Sequence, residues 1–193
     1  MKNSILRLFA ILFLISFAIS STASAAELKT YRDDSNHFSI KLIQGTKNFT
    51  KNPSTYGNDV VMLAAKKGGI LSHSNIPATM IIRSNVEFEQ TNDSILQELS
   101  NKYDQIIANG VEGIDFVRIE QKEVYELKYG NSLFAKSLVV FPDDKKNIYA
   151  HCYHFIFGEN YKLYQIFYII PAENEQKYQS QVFESIQSFT LDS

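Results

Sequence analysis

The sequence predicts an α+β domain built on a mostly antiparallel, seven-stranded sheet with a helix on each face. Three observations lead to this fold class. Several strand-like segments are joined by short turns, two helical segments each carry one apolar stripe, and some of the later strand segments are apolar on both faces. Because a strand that is apolar on both faces needs cover on both sides, one helix is expected on each face of the sheet.

The N-terminal residues have the layout of a secretory signal peptide. The first seven residues carry two basic side chains and no acid, and an apolar run follows at 8–19. This run is too short for a spanning helix, which needs roughly 20 apolar residues. The triplet Ala-Ser-Ala at 23–25 is a cleavage signal. We therefore expect residues 1–25 to be removed and residues 26–193 to form one domain, periplasmic or secreted, without stable membrane insertion after cleavage.

The composition of the mature chain excludes some classes of partner and of covalent structure. Loss of the leader leaves 17 basic against 21 acidic residues, a net charge of −4. This mild acidity, without a basic stripe, predicts no nucleic-acid partner. Cys152 is the only cysteine, so the chain forms no intramolecular disulfide.

Three strands are predicted before the first helix. In the segment 37–43 the residues Phe38, Ile40 and Leu42 alternate with polar side chains, which is the period of a half-buried strand. The stretch 44–58 is rich in loop-forming residues. Two β-branched and apolar runs complete this part of the sheet, at 60–65 and 78–86.

The first helix is predicted from a start signal, a period and a stop signal. Ser94 and Gln97 have capping-box spacing, and apolar residues then recur at helical offsets up to Ile107. Asn109 and Gly110 supply the stop.

Four further strands and a second helix are predicted in the rest of the chain. The strand segments are 115–128, 132–141, 148–157 and 162–170, and their short connections are typical of antiparallel hairpins. Residues 172–189 follow Pro171 and place one apolar stripe on a single helical face. The predicted order is therefore βββαββββα.

Short segments at both ends of the mature chain resemble those of a known superfamily. Tyr31-Arg32-Asp33, followed by the sequence HFSI at 37–40, is similar to the opening of PsbP-like domains, and FESIQSF at 183–189 resembles their terminal helix. The superfamily also contains a Ran-binding nuclear import factor and exported bacterial proteins of uncharacterised role. The resemblance covers nearly all of the mature chain. It implies a PsbP-like fold and accessory or protein-binding roles, and it carries over no catalytic residue.

One pair of residues has the spacing of a catalytic thiol and base. Cys152 and His154 are two residues apart on a predicted strand and so point to the same face. Their neighbours are apolar or aromatic, and burial there favours a neutral thiol and a neutral imidazole. We expect both to be packing residues. His151 and His154 are three residues apart and point to opposite faces, so they predict no shared metal.

The remaining polar motifs predict no site either. The segment Lys-Lys-Gly-Gly at 66–69 lacks the glycine spacing of a phosphate loop. The acidic pairs at 33–34 and 143–144 lack the regularly spaced oxygen donors of a calcium loop. No G-x-S-x-G elbow occurs. The sequence therefore predicts no cofactor, no metal and no enzymatic activity, with a hydrolase as the residual enzymatic alternative.

Aromatic residues are concentrated in the last two predicted strands. Tyrosine combines rigid apolar area with a polar tip, and it is enriched at binding surfaces. A possible aromatic binding face consists of Tyr149, Tyr153, Tyr164 and Tyr168. The alternatives are that these rings fill the core beneath the helices, with their hydroxyls at the rim, or that they line a pocket.

The function expected from these observations is that of an exported, non-enzymatic accessory or protein-binding module of the bacterial envelope. Such a module would engage a protein partner through loops and a sheet edge. A small apolar-ligand carrier is the alternative, and it requires a roomy apolar cavity between sheet and helix. A filled core would favour the protein-binding module over the carrier.

Overall fold

The computed structural model describes residues 27–44, 49–50, 54–56, 59–65, 78–87, 93–108, 115–141 and 147–192. The predicted signal peptide, the 66–69 segment and the acidic pair at 143–144 lie outside the described residues. The helices are α1 (Asp93–Ala108) and α2 (Glu175–Gln187), the second preceded by a 3-10 turn (Ala172–Asn174). The strands are β1 (Leu28–Asp33), β2 (Phe38–Ile43), β3 (Phe49–Thr50), β4 (Ser54–Tyr56), β5 (Asp59–Ala65), β6 (Ala78–Glu87), β7 (Asp115–Leu127), β8 (Gly130–Phe141), β9 (Ile148–Glu159), β10 (Lys162–Pro171) and β11 (Thr190–Leu191).

These strands form two antiparallel sheets. The small sheet has three strands in the order β1-β2-β11. The large sheet has eight strands, in the order β3-β5-β6-β10-β9-β8-β7, with β4 also paired to β5. Its centre is the antiparallel run β6-β10-β9-β8, in which consecutive strands pair over most of their lengths.

The α+β class and the antiparallel pairing predicted from the sequence are confirmed, but the single seven-stranded sheet is wrong. Strand β1 is the main reason. Its sequence, LKTYRD, has no alternating apolar pattern because it lies at an edge of the small sheet and half of its residues are exposed. The strands β3, β4 and β11 are only two or three residues long, too short to show a hydrophobic period.

The placement of the helices also differs in detail from the prediction. On β9, Tyr153, Phe155 and Phe157 belong to a core that includes the stripe of α2 and the apolar residues of β2. Ile156 alternates with them and belongs to a second core, with Tyr103 of α1. The helices therefore cover opposite faces of the large sheet, and α2 shares its face with the small sheet.

A short chain of hydrogen bonds joins the large sheet, α2 and the small sheet. The Tyr168 hydroxyl of β10 donates to Ser185 Oγ of α2 at 2.9 Å. Ser185 Oγ in turn donates to the backbone carbonyl of Lys41 on β2 at 2.5 Å. Tyr168 and Ser185 are fully buried, so these bonds satisfy groups that water cannot reach.

Neither helix among the described residues has the length and apolar character that crossing a membrane requires.

Candidate functional site

Strand β7 is the outermost strand on one side of the large sheet. It is 13 residues long, and among the described strands it pairs only with β8. An edge strand presents unpaired backbone N–H and C=O groups that can pair with another chain. Its register with β8 is irregular near Phe116 and near Glu120 and then runs without interruption from Gln121 to Leu127. The residues 121–127 are therefore the regular part of this edge.

Two of the exposed large apolar side chains lie on this edge. The large hydrophobic residues that are exposed in the described part of the chain are Val117 (43%), Val124 (55%), Tyr149 (50%) and Tyr161 (74%). Val117 lies in an irregular stretch of β7, and Val124 lies within its regular part. Tyr149 is two strands away, opposite Val140 of β8, which itself faces Asp115 of β7.

Polar side chains along β7 are tied to neighbouring residues. Arg118 lies 2.8 Å from Glu120, and Gln121 donates to Glu123 at 3.0 Å. Lys122 Nζ donates to the carbonyl of Ser100 on α1 at 2.7 Å. The strand carries two basic and four acidic residues, a net charge of −2. This edge is therefore slightly acidic and contains no long apolar run.

An ionic cluster of Glu120, Lys136, His151 and Glu175 lies beside the irregular half of β7. Lys136 Nζ is 3.3 Å from Glu120 and 2.5 Å from Glu175. The two ring nitrogens of His151 face the two carboxylates: Nδ1 is 3.0 Å from Glu120 and Nε2 is 3.2 Å from Glu175. The four side chains are only 13–19% exposed. The cluster joins β7, β8 and β9 to the first residue of α2.

One aromatic residue, Tyr153, and one basic residue, Arg118, also contact the cluster. Tyr153 Oη donates to Glu175 at 2.5 Å, and the Lys136 ammonium lies 5.8 Å from the centre of the Tyr153 ring. Arg118 contacts Glu120 from the solvent side. When His151 is neutral, the positive charges of Arg118 and Lys136 equal in number the negative charges of Glu120 and Glu175.

The cluster keeps both carboxylates ionised. Burial alone would raise the pKa of Glu120, but the hydrogen bond from Lys136 and the neighbouring His151 and Arg118 outweigh it and lower that pKa. Burial likewise acts to raise the pKa of Glu175, and Lys136 and Tyr153 reverse the direction. Burial would lower the pKa of Lys136, but its two carboxylate partners raise it. The charges of Glu120, Lys136 and Glu175 are therefore present at neutral pH.

Sequence reasoning did not find this cluster. Its members come from three strands and a helix, and each stands among residues that are ordinary for its element. Glu120 reaches the cluster from the position where the β7 register shifts, and such a bulge re-aims side chains. A bulge cannot be predicted from residue spacing, so this site could not be predicted from the sequence.

The four tyrosines of the predicted aromatic face do not form one accessible surface. Tyr153, Tyr164 and Tyr168 are buried in the core beneath α2 and the small sheet, and Tyr149 is half exposed. The buried hydroxyl of Tyr168 is bonded to Ser185, and that of Tyr153 reaches the rim at Glu175. Tyr153, Tyr164 and Tyr168 therefore lie in the core, as in the alternative in which these rings fill the core beneath the helices.

Cys152 and His154 are buried on the α1 side of the large sheet. Cys152 lies in a small apolar cluster, and burial raises the pKa of its thiol to about 12. Burial also lowers the pKa of His154 to about 3, against a smaller opposing effect of Gln165. The His154 ring stacks on Phe167 with centroids 3.8 Å apart, and its Nδ1 lies 3.1 Å from the hydroxyl of Tyr103. The structure therefore gives each residue a packing role.

The acidic pair at 33–34 makes a turn. Asp33 accepts hydrogen bonds from the backbone of Ser35 and of Asn36, and Asp34 pairs with Arg32 at 2.7 Å. Over the ranges that the structure describes, no group of three or more His, Cys, Asp and Glu side chains is arranged to hold a metal ion.

Comparison with known proteins identifies the fold. No family model and no curated protein matches the chain. The solution structure of cyanobacterial PsbP (CyanoP) from Synechocystis sp. PCC 6803 matches with a TM-score of 0.55 at 14% identity, over 89% of this chain and 96% of that one. The chain therefore has a PsbP-like fold.

Two further structures match less well. A crystal structure from Bacteroides thetaiotaomicron VPI-5482 shares 10% identity over 86% of this chain and 48% of its own. A Pseudomonas aeruginosa protein of unknown function shares 6% identity over 86% of this chain and 99% of its own. Both have a TM-score of 0.41, below the level at which a shared fold follows.

Proposed function

We propose that this chain, with its PsbP-like fold, is an exported, non-enzymatic protein-binding module of the bacterial envelope, periplasmic or secreted. The observation that carries the proposal is the regular edge of β7 at 121–127, which pairs on one side only among the described strands and exposes Val124. Export rests on the leader at 1–25 and its cleavage triplet.

The partner chemistry follows from the edge itself. An extended segment of a partner protein can add to β7 as a further strand, with main-chain hydrogen bonds giving affinity and alternate side chains giving specificity. The apolar contact would be made at Val124. Because β7 carries a net charge of −2, a partner segment with basic residues is favoured.

The packing of the interior supports a protein-binding module over an apolar-ligand carrier. The rings between the large sheet and α2 contact one another: Phe134 stacks on Phe155 with centroids 4.9 Å apart, and Phe183 meets Phe134 edge-on at 5.5 Å. Phe157 stacks on Tyr164 at 5.6 Å. A carrier would need this space for its ligand.

The state of the Cys152 and His154 pair supports a non-enzymatic role. A nucleophilic cysteine needs an exposed thiol with a depressed pKa, whereas Cys152 is buried with a raised pKa. His154 is kept neutral by burial and contacts Tyr103.

Site-specific crosslinking in the native cell tests the proposed surface. A photoreactive residue placed at Val124 should yield a discrete crosslinked product with another protein of the envelope. The matched control places the same residue at Asp104, an exposed position of α1, and should yield none. Equal products at both positions, or only a product between two copies of this chain, would contradict the proposal.

The crosslinked partner, once purified, allows a quantitative test. Val124→Asp should weaken its binding at least about tenfold, because it replaces the apolar contact with a carboxylate that binding would have to desolvate, whereas Val124→Thr, which keeps the branched shape, should weaken it much less. Both variants should keep the melting temperature of the parent, since position 124 is exposed. Unchanged affinity in Val124→Asp would remove β7 from the interface.

A further inference from the structure

His151 is held in a position that a neutral imidazole satisfies only in part. Nδ1 faces Glu120 and Nε2 faces Glu175, at 3.0 and 3.2 Å. A neutral imidazole has one N–H and one lone pair, and an ionised carboxylate can only accept. One ring nitrogen therefore presents a lone pair to a carboxylate oxygen. Nδ1 is buried and makes no hydrogen bond in this ring orientation, although it lies 3.0 Å from Glu120.

The charges around His151 would accommodate a proton. Glu120 and Arg118 face the ring from the β7 side, and Lys136 faces it from β8. Glu175 faces it from α2, and Tyr153 lies on its own strand with its hydroxyl on Glu175. On β10 the residue opposite His151 is Ile170, which is apolar. The two acids balance the two bases, so a proton on His151 would meet no net positive charge and would have a carboxylate oxygen within 3.2 Å of each ring nitrogen.

We propose that His151 is a proton-dependent clamp, whose doubly protonated ring donates to Glu120 and Glu175 together and whose neutral ring releases Glu120. The clamp ties the irregular stretch of β7 to the first residue of α2. Acidification of the compartment then adds a second, proton-dependent contact between the edge strand and the helix, which Lys136 and Gln187 already connect. The inference concerns folding and geometry, and it stands independently of the proposed partner.

A double-mutant cycle measures the contact. The four proteins are the parent, His151→Phe, Glu120→Gln and the double variant, and the unfolding equilibrium constant of each is measured in urea at pH 5 and pH 8. Because the pKa of Glu120 is lowered, this carboxylate is ionised at both values. Groups outside the pair contribute equally to all four proteins and cancel.

The expected coupling depends on pH. At pH 5 the pair should favour the folded state by about tenfold, the size of a charge-assisted hydrogen bond, and at pH 8 by less than about twofold. Coupling that is equal at the two values, or larger at pH 8, would make His151 a static packing residue and overturn the proposal. If His151→Phe does not fold, His151→Gln serves in its place, because its neutral amide cannot take up the proton.

Nitrogen-15 NMR of the imidazole rings gives a second readout on the unmodified protein. At pH 5 both ring N–H protons of His151 should be observed in slow exchange with water. Glu120→Gln, which keeps a carbonyl acceptor and loses the charge, should speed the exchange of the Nδ1–H and leave that of the Nε2–H unchanged. His154 is the internal control, because burial lowers its pKa to about 3 and so leaves it a single N–H at this pH. A single N–H on His151 at pH 5, or a signal unaffected by Glu120→Gln, would contradict the clamp.

Discussion

Cys152 and His154 lie on the same face of β9, as their spacing predicts, yet the hydrogen-bonding neighbour of the His154 ring is Tyr103 on α1. Spacing along a strand fixes which face a side chain points to, but what lies above that face decides its chemistry. Here α1 and the apolar residues of the sheet exclude water, and burial drives the thiol and the imidazole towards their neutral forms.

The first prediction at this scale concerns the reactivity of the thiol. Cys152 in the folded protein at neutral pH should react with iodoacetamide at least about a hundredfold more slowly than in denaturant, because the thiolate is the reactive species and the thiol pKa is raised to about 12. Labelling followed by intact mass measures both rates.

The His154→Ala variant provides the control for this measurement. If the folded thiol reacts rapidly and His154→Ala slows it markedly, the two residues form an activated pair. That result would favour an enzymatic function over a binding function. If the rate in the folded state follows the fraction of unfolded protein, the thiol is protected by burial alone.

At the scale of elements, a helix or strand could be predicted where its segment had a hydrophobic period or a helix-capping motif. Helix α1 was predicted from the Ser94 and Gln97 spacing and an apolar stripe, and β5, β6 and β7 agree with their predicted segments to within one residue. Strand β1 has no such pattern, because only Leu28 and Tyr31 of its six residues pack against the core, and they are three residues apart. The ionic cluster needs a bulge, which is a property of the pairing between two strands and not of either sequence.

The hydrogen-bond chain from Tyr168 through Ser185 to the small sheet makes a prediction about asymmetry. Tyr168→Phe removes one donor and should destabilise the fold by about 1 kcal/mol. Ser185→Ala leaves the buried Tyr168 hydroxyl without its acceptor and should destabilise the fold by about 2 kcal/mol. The double variant should cost less than the sum of the two. Urea unfolding measures all three.

Tyr149→Phe is the matched control for this series, because it makes the same chemical change at a half-exposed position. It should leave the free energy of unfolding unchanged. Equal costs for Tyr168→Phe and Tyr149→Phe would show that the buried chain contributes nothing to stability.

The stripe of α1 supplies the second prediction at this scale. Leu96 is buried against the large sheet, so Leu96→Ala should destabilise the fold by about 2–5 kcal/mol. Glu98 is exposed and pairs only with Lys102 one turn along the helix, so Glu98→Ala should change stability little. Similar melting temperatures for the two variants would show that the helix face has been assigned wrongly.

At the scale of the whole molecule, three layers share one aromatic core. Phe38 of the small sheet contacts Phe189, and Phe189 contacts Phe157 of the large sheet. Phe183 of α2 contacts Phe155 of the large sheet, and both sets of rings belong to the same core. Because α2 and the small sheet cover the same face, neither can leave without exposing part of this shared core. The sequence predicted one helix as the whole cover, and a polar strand such as β1 gave no indication that a second sheet was needed.

The last prediction concerns acid unfolding, which should occur in two stages set by different groups. The folded-state pKa of His154 is about 3, below its ordinary value of about 6.5, so its contribution is present above pH 6.5 and is lost progressively as pH falls towards 3. The pKa values of Glu120 and Glu175 are also lowered, so their contribution is present above about pH 4.5 and is lost below it. Stability should therefore fall first with His154 and then, more steeply, with the carboxylates.

Two variants separate the stages when both are made in the His151→Phe background, in which the clamp has no ring proton to take up. His154→Gln cannot be protonated, so its free energy of unfolding should be nearly flat between pH 6.5 and 4.5 and should fall only below that range. Glu175→Gln should keep the early fall and weaken the later one, because one of the two carboxylates with a lowered pKa is gone. Urea unfolding at half-unit steps from pH 7 to pH 3 gives the curves. If His154→Gln keeps the full slope above pH 4.5, protonation of the buried imidazole does not drive the first stage, and the neutral, packed state assigned to His154 is wrong.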